Sequence, residues 1–130
     1  TIDEWERWTL EELAEWFKVC SEGVYNTRPW KVYGEGDSRV VIDGFKEVSV
    51  PWNSSDYRFT AKGNSVYAFM MQTPKDNRAV IRSFAQEEVL NVELLGHGNI
   101  PFSTQLGLVC AVLPEKLPTD YTNCLKITIR

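Results

Sequence analysis

The side chains able to do chemistry are few and scattered. His97 is the single histidine of the 130-residue chain and lies between Gly96 and Gly98. Any histidine-based triad or histidine-rich metal site has to use it, and a polar turn tip is its simpler reading. Ser54, Ser55, Ser65, Ser83 and Ser103 lack the Gly-x-Ser-x-Gly elbow that presents a nucleophilic hydroxyl, and no cysteine is paired in sequence with an activating histidine. Carboxylates cluster at Glu11-Glu12-Glu15 and Glu87-Glu88. Two such groups work as acid and base only where a fold holds them ~5 to 10 Å apart across a cleft, and otherwise they are solvated surface. The stretch GEGDS, residues 34–38, has two glycines without the spacing of a dinucleotide or P-loop cradle. The expectation is therefore no catalytic residue, no metal set and no cofactor in this chain.

Two other groups of residues have binding readings. Cys20, Cys110 and Cys124 are an odd number without Cys-x-x-Cys spacing, so neither a closed disulfide framework nor a zinc site is written here. Three free thiols are expected, with Cys110 buried inside LGLVCAVLP and a Cys110–Cys124 bridge as the alternative. Asn53-Ser54-Ser55 fits the N-glycosylation sequon. The aromatic residues Trp30, Tyr33, Trp52 and Tyr57 fall in expected loops. Trp30, Trp52 and Tyr57 are candidate platforms for stacking a sugar ring, and the competing reading is a hydrophobic plug between domains or sheets.

Composition bounds the rest. Hydrophobic residues at 43% and charged residues at 25% describe an ordinary globular chain with one core. A net charge of -4 supplies no basic stripe for phosphates, so neither nucleic acid nor an anionic membrane surface is an expected partner. No apolar run reaches the roughly 18 residues of a membrane span, and Thr1-Ile2-Asp3-Glu4 lacks the basic start and apolar middle of a signal peptide. The chain is expected to start inside a longer protein or after processing.

The elements that would position these residues are a helix and then strands. Asp3-x-x-Glu6 and Thr9-x-x-Glu12 are nested helix starts, the first the better. Trp5, Trp8, Leu13, Trp16, Phe17 and Cys20 recur at three- and four-residue steps as one apolar stripe, and Gly23 supplies a stop. Three tryptophans on one stripe call for a large partner surface, so the isolated chain is expected to self-associate through this helix or to fold it back over the remainder. After Gly23 the period becomes two. SVYAFMMQ is apolar on both faces, CLKITIR on one, and further strands are expected at 39–42, 57–61, 80–83, 89–95 and 105–113. Lys62-Gly63-Asn64 and Gly96-His97-Gly98-Asn99 read as hairpin turns. These patterns predict an all-β, two-sheet antiparallel sandwich, Greek-key-like, preceded by one N-terminal α-helix, with the only boundary between Cys20 and Trp30.

EWFKVCSEGVYNTRPW, followed by DYRFTAKGNSVYAFMMQTP, VELLG and GLVCAVLP, resembles the C-terminal end of the family-29 α-L-fucosidases. In that family a final barrel helix ends in a W-L-x-x-N-G-E-x-I-Y-x-T-R-P-W-like run and leads into a β-sandwich. Trp16, Glu22, Tyr25, Thr27, Arg28, Pro29 and Trp30 fit that run. Arg58, Phe59, Thr60, Lys62, Gly63, Tyr67 and Ala68 fit the sandwich, as do Leu94, Leu95, Gly96, Gly107, Leu108, Leu113 and Pro114. Cys20-Ser21 stands where the family has Asn-Gly, and Ala14 where it has Gly. The resemblance implies that residues 1–23 are the helix left from the end of a catalytic barrel and 24–130 the C-terminal sandwich. It implies a retaining exo-glycosidase whose nucleophile and acid/base lie on the barrel, with no catalytic residue carried onto this chain. Trp16, Tyr25, Arg28, Pro29 and Trp30 are then interface residues: Arg28 bonding across the boundary, Pro29 stiffening a turn, the aromatics filling the gap. The implied partner is the barrel of the same parent chain, with fucosylated glycans a second one, and the implied compartment is secreted, periplasmic or lysosomal.

Overall fold

Asp3 starts the helix. Its carboxylate accepts a hydrogen bond from the Glu6 backbone N–H at 2.8 Å while its own backbone is extended, and α1 runs Glu4–Cys20. Glu4 and Glu6 in the first turn and Lys18 in the last suit the helix dipole. Thr9, the second predicted start, is interior instead, and its hydroxyl donates to the Trp5 carbonyl at 3.0 Å. A single 3-10 turn, Ser21–Gly23, follows. The left-handed residue that redirects the chain is Asn26 (φ 57°), not Gly23 as the sequence suggests. Gly23 is small for a packing reason: a Cβ there would stand 2.9 Å from Phe69 Cζ and 3.2 Å from Cys124 Sγ.

The computed structural model describes residues 3–36, 40–43, 46–49 and 53–130. Its strands are β1 (Arg28–Glu35), β2 (Val40–Asp43), β3 (Lys46–Ser49), β4 (Tyr57–Lys62), β5 (Ser65–Met70), β6 (Arg78–Ile81), β7 (Val89–Leu94), β8 (Gly98–Asn99), β9 (Phe102–Gln105), β10 (Leu108–Val112) and β11 (Asn123–Ile129). A six-stranded sheet in the order β1-β4-β5-β11-β7-β8 packs on a three-stranded sheet, β6-β10-β9, and β2–β3 pair as a hairpin. Every pairing is antiparallel, so the fold is the expected sandwich with one leading helix. The stretch 105–113, read as one strand, is divided by Leu106 and Gly107, both left-handed (φ 53° and 82°), into the ends of two. Strands β1, β3 and β8 were not delimited by the pattern. Pro29 lies within edge strand β1 rather than in a turn, where its missing N–H breaks no central ladder.

Register sets the core. Phe59, Ala68, Leu125 and Leu94 form one row across β4, β5, β11 and β7, and Ala61, Val66, Ile127 and Val92 form the next. Apart from Ala61, these rows meet Ala79, Ile81, Val109 and Ala111 of the smaller sheet in one buried cluster. The opposite face of β5 carries Tyr67 and Phe69, which with Leu95 and Cys124 pack against Trp16, Val19 and Cys20 of α1. The larger sheet is therefore covered on both faces, by a sheet on one and by a helix on the other.

All three cysteines are free thiols. Cys20 and Cys124 are buried beneath α1, and burial pushes the Cys20 thiol up to about 11 and the Cys124 thiol well above the usual range. Cys110 is half-buried rather than buried, because its neighbours Val109 and Ala111 take the core-facing positions of β10. A thiol-reactive dye at pH 8 should label only Cys110 in the native protein and all three cysteines after denaturation without reductant. A denatured count below three would reveal a bridge. Tyr57 is fully buried and its hydroxyl lacks a well-formed hydrogen bond. Tyr57→Phe should leave the unfolding free energy unchanged or raise it by ~1 kcal/mol, measured by urea denaturation.

Candidate functional site

Most of the carboxylates singled out by sequence have partners within the chain. Glu15 pairs with Lys18 at 3.0 Å, Glu87 with Lys31, and Glu88 with Arg130 at 3.3 Å. Glu12 accepts from the Tyr121 hydroxyl at 3.0 Å, and Glu35 accepts from the backbone N–H groups of Arg82 and Ser83. His97 is exposed in the turn between β7 and β8. Among the described residues no three His, Cys, Asp or Glu side chains gather as metal ligands. Asn53 turns its amide oxygen onto the Ser55 backbone N–H at 2.8 Å, an Asx turn.

The expected sugar platforms do not come together. Tyr57 has 0% of its surface exposed, because its odd position in β4 points into the sandwich, and no ring can stack on it. Trp30 is half-buried, stacked on Phe84 at 4.8 Å and edge-on to Phe59 at 5.3 Å, so it completes the core. Trp52 lies outside the described residues. The exposed aromatic of that region is Tyr33, with the Arg58 guanidinium 5.5 Å from its centroid.

A connected set of contacts lies instead where α1 meets the larger sheet. The Trp16 indole N–H donates to the Thr122 carbonyl at 2.7 Å, and its ring lies edge-on to Phe17 and 6.3 Å from Phe69. Glu22 accepts from the Tyr67 hydroxyl at 2.7 Å and pairs with Lys126 at 2.6 Å. The Thr60 hydroxyl donates to the Gly23 carbonyl at 2.7 Å. Gly96, held at φ 88°, admits Val19: a Cβ there would stand 2.8 Å from Val19 Cγ1. Periodicity had marked Trp16, but the hydrogen bonds to Thr122, Tyr67 and Thr60 span 37 to 106 residues and left no local trace.

The same helix is unpartnered at its other end. Trp5, 71% exposed, Trp8, Leu13 and Trp16 line one wall of an open groove of about 570 Å³, and Tyr121 and Thr122 line the other. Thr9, Glu12, Tyr121 and Thr122 contribute its polar groups, but most of the lining surface is apolar, which suits an apolar protein segment better than a sugar, whose hydroxyls need several polar partners. Tyr25, 61% exposed, stacks on Phe17, and Arg28 is exposed with no ion pair among the described residues. Of the five expected interface residues, Tyr25, Arg28 and Pro29 thus present open surface, while Trp16 and Trp30 are engaged with the sandwich itself.

Comparison with known proteins follows the same outline. Residues 51–128 match the family described as the alpha-L-fucosidase C-terminal domain. The tissue alpha-L-fucosidases of Homo sapiens and Macaca fascicularis are each 23% identical over 125 residues, covering 92% of this chain and 23% of theirs. The fold is that of the crystal structure of Thermotoga maritima alpha-fucosidase with a mechanism-based inhibitor, at TM-score 0.69 and 19% identity over 98% of this chain and 27% of that one. Alpha-L-fucosidase isoenzyme 1 of Paenibacillus thiaminolyticus gives 0.67 and 16%, over 99% and 28%. The chain spans about a quarter of the length of each of these relatives.

The Glu22 contacts carry a pH signature. Lys126 first, and then the Tyr67 hydroxyl, hold the Glu22 carboxyl below its ordinary 4.5. A depressed carboxylate contributes stability above its unfolded value and loses it as pH falls through the folded one. Glu22→Gln keeps an acceptor for Tyr67 but removes the charge. It should lower stability at pH 7 by less than ~1 kcal/mol, since the pair is partly solvated, and the difference should vanish at pH values well below 4.5. Urea melts of both proteins at pH 7 and pH 3 measure this, and an equal deficit at both values would remove the charge pairing from the account.

Proposed function

Because this chain belongs to the alpha-L-fucosidase C-terminal domain family, we propose that it is the non-catalytic sandwich of a larger glycoside hydrolase acting on terminal α-L-fucose, and that it braces the catalytic barrel of that enzyme. In this reading residues 1–23 are the last helix of the barrel and residues 24–130 the brace. The observation that carries it is the state of α1: its C-terminal half packs on the sheet through Trp16 and Cys20, and its N-terminal half holds exposed tryptophans that line an open, mostly apolar groove. A helix so divided is half of an interface. Retaining glycosidases need two carboxyl groups ~5 Å apart at the scissile bond, and the carboxylates described above are committed to lysines, an arginine, a tyrosine hydroxyl and backbone N–H groups. The nucleophile and the acid/base then lie on the barrel, at the C-terminal ends of its strands. Fucosylated substrate is met there, and the sandwich contributes rigidity.

Two measurements test this. The purified chain should release no 4-nitrophenol from 4-nitrophenyl α-L-fucoside, and the coding sequence upstream of Thr1 should encode alternating strands and helices of a barrel. Fucosidase activity in a preparation free of host enzyme, or an upstream region without barrel elements, would overturn the proposal.

A further inference from the structure

Two buried nucleophiles lie together beneath the end of α1. Cys20 closes the helix and Cys124 is the second residue of β11, and both are fully buried in the cluster where the helix meets the larger sheet. Their contacts place them on the same stretch of main chain. The Cys20 thiol donates to the Thr122 carbonyl at 3.7 Å, and the Cys124 backbone N–H donates to the Cys20 sulfur. The turn after Cys20 then passes over the second sulfur, since a Cβ on Gly23 would stand 3.2 Å from Cys124 Sγ. Cys110 has no such route. Its neighbours Val109 and Ala111 point into the sandwich core, so its thiol faces outward from the smaller sheet, while Cys124 lies on the far face of the larger one. A Cys110–Cys124 bridge, the alternative open from sequence, has the whole core in its way. Of the pairs that three cysteines allow, Cys20 with Cys124 is the one the fold assembles.

We propose that Cys20 and Cys124 are a redox pair, closed by a small-molecule disulfide such as oxidised glutathione into a bond that fastens the end of α1 to β11. The Cys20 thiolate attacks one sulfur of the small disulfide, giving a mixed disulfide and releasing one small thiol. The Cys124 thiolate then attacks the Cys20 sulfur, and the bond to the small molecule breaks to release the second thiol. Two protein thiols lose two electrons, one external disulfide is reduced to two thiols, and the two cysteine protons pass to the departing sulfurs. A disulfide asks for Cα atoms ~4.4 to 6.8 Å apart, a spacing that a sulfur resting against its partner's main chain can meet by rotation about χ1. Burial sets the pace. It is the first reason that both thiols resist ionisation, and for Cys124 the neighbouring Cys20 and Glu22 charges add to it. Reaction therefore waits for the helix end and its 3-10 turn to lift. Once formed, the bond holds that end down: it joins the first element to the last strand and closes most of the chain into one loop, which restricts the unfolded chain. The bond forms within this chain and asks nothing of a parent enzyme.

The test starts from the fully reduced 130-residue chain, incubated at pH 8 with excess oxidised glutathione, quenched in acid, alkylated and digested without reductant. Mass spectrometry should find a Cys20 peptide joined to a Cys124 peptide, two hydrogens lighter than the reduced pair. The urea midpoint of the oxidised chain should rise and return on adding dithiothreitol, and amides in the last turn of α1 should exchange several-fold more slowly. Cys110→Ser should keep the link and both shifts. Cys20→Ala and Cys124→Ala should lose them, and because either opens a gap in the buried cluster, the Cys110→Ser chain decides the matter by itself. Glutathione adducts on Cys20 and Cys124 without a linked peptide would overturn the pairing. So would two thiols that stay free while Cys110 is modified, or a link that includes Cys110. A linked pair that leaves the urea midpoint and the exchange unchanged would overturn the fastening of the helix.

Discussion

The seating of α1 on the outer face of the larger sheet is the contact on which the other features depend. It requires two close approaches. Gly23 lets the helix end settle against Phe69 and Cys124, and Gly96 lets Val19 reach the β7–β8 turn. Side chains at those points would push the helix away by more than a packed core tolerates. With the helix seated, Tyr67 and Phe69 are covered, Cys20 and Cys124 are sealed from solvent, and the Trp16 indole reaches the Thr122 carbonyl. The polar contacts fix the angle and the apolar ones supply the area. Neither set is local in sequence.

This arrangement explains what was legible in the residues and what was not. β5 read as apolar on both faces, and the structure accounts for it with two covers of different kinds, a sheet and a helix. β11 read as one-sided, and its second face carries Lys126 and Thr128, both half-buried, with Lys126 paired to Glu22 at the helix end, while Cys124 on that face is buried beneath α1. The helix start at Asp3 was legible because capping is a three-residue event. The division of the apolar stripe into a covered and an exposed part was not, because three- and four-residue spacing groups Trp5 and Trp8 with Trp16 until a partner is known. Tyr57 misled for a related reason: an aromatic next to a polar loop looks available, and only the strand register turns it inward. The division of 105–113 by Leu106 escaped notice because leucine is a rare choice for the left-handed region.

The titratable groups of the chain are buried or held by neighbours at several of these contacts. Burial raises the Cys20 and Cys124 thiols and with them the barrier to forming a thiolate. Most of the carboxylates that looked like candidates for acid and base work hold lysines, an arginine, a tyrosine hydroxyl or backbone N–H groups. Among the described residues the exposed large hydrophobics include Trp5, Trp8, Leu10 and Leu13 on one helix, with others such as Tyr33 and Leu106 on the sandwich.

The residues that carry the family resemblance point the same way. Trp16, Glu22, Thr60, Tyr67, Leu95 and Gly96 are the positions that bond or pack α1 to the sheet. Gly63 holds the β4–β5 turn at φ 57°, and Phe59 and Leu94 fill the two ends of one core row. None of them lines a concave polar site. Six of the residues that carry the resemblance thus lie at a seam between a helix and a sheet. A signature built from ligand contacts would instead converge on one pocket with polar groups aimed into it. What these six residues share in this structure is a relation between two elements, the helix and the sheet: each fixes how the one sits on the other.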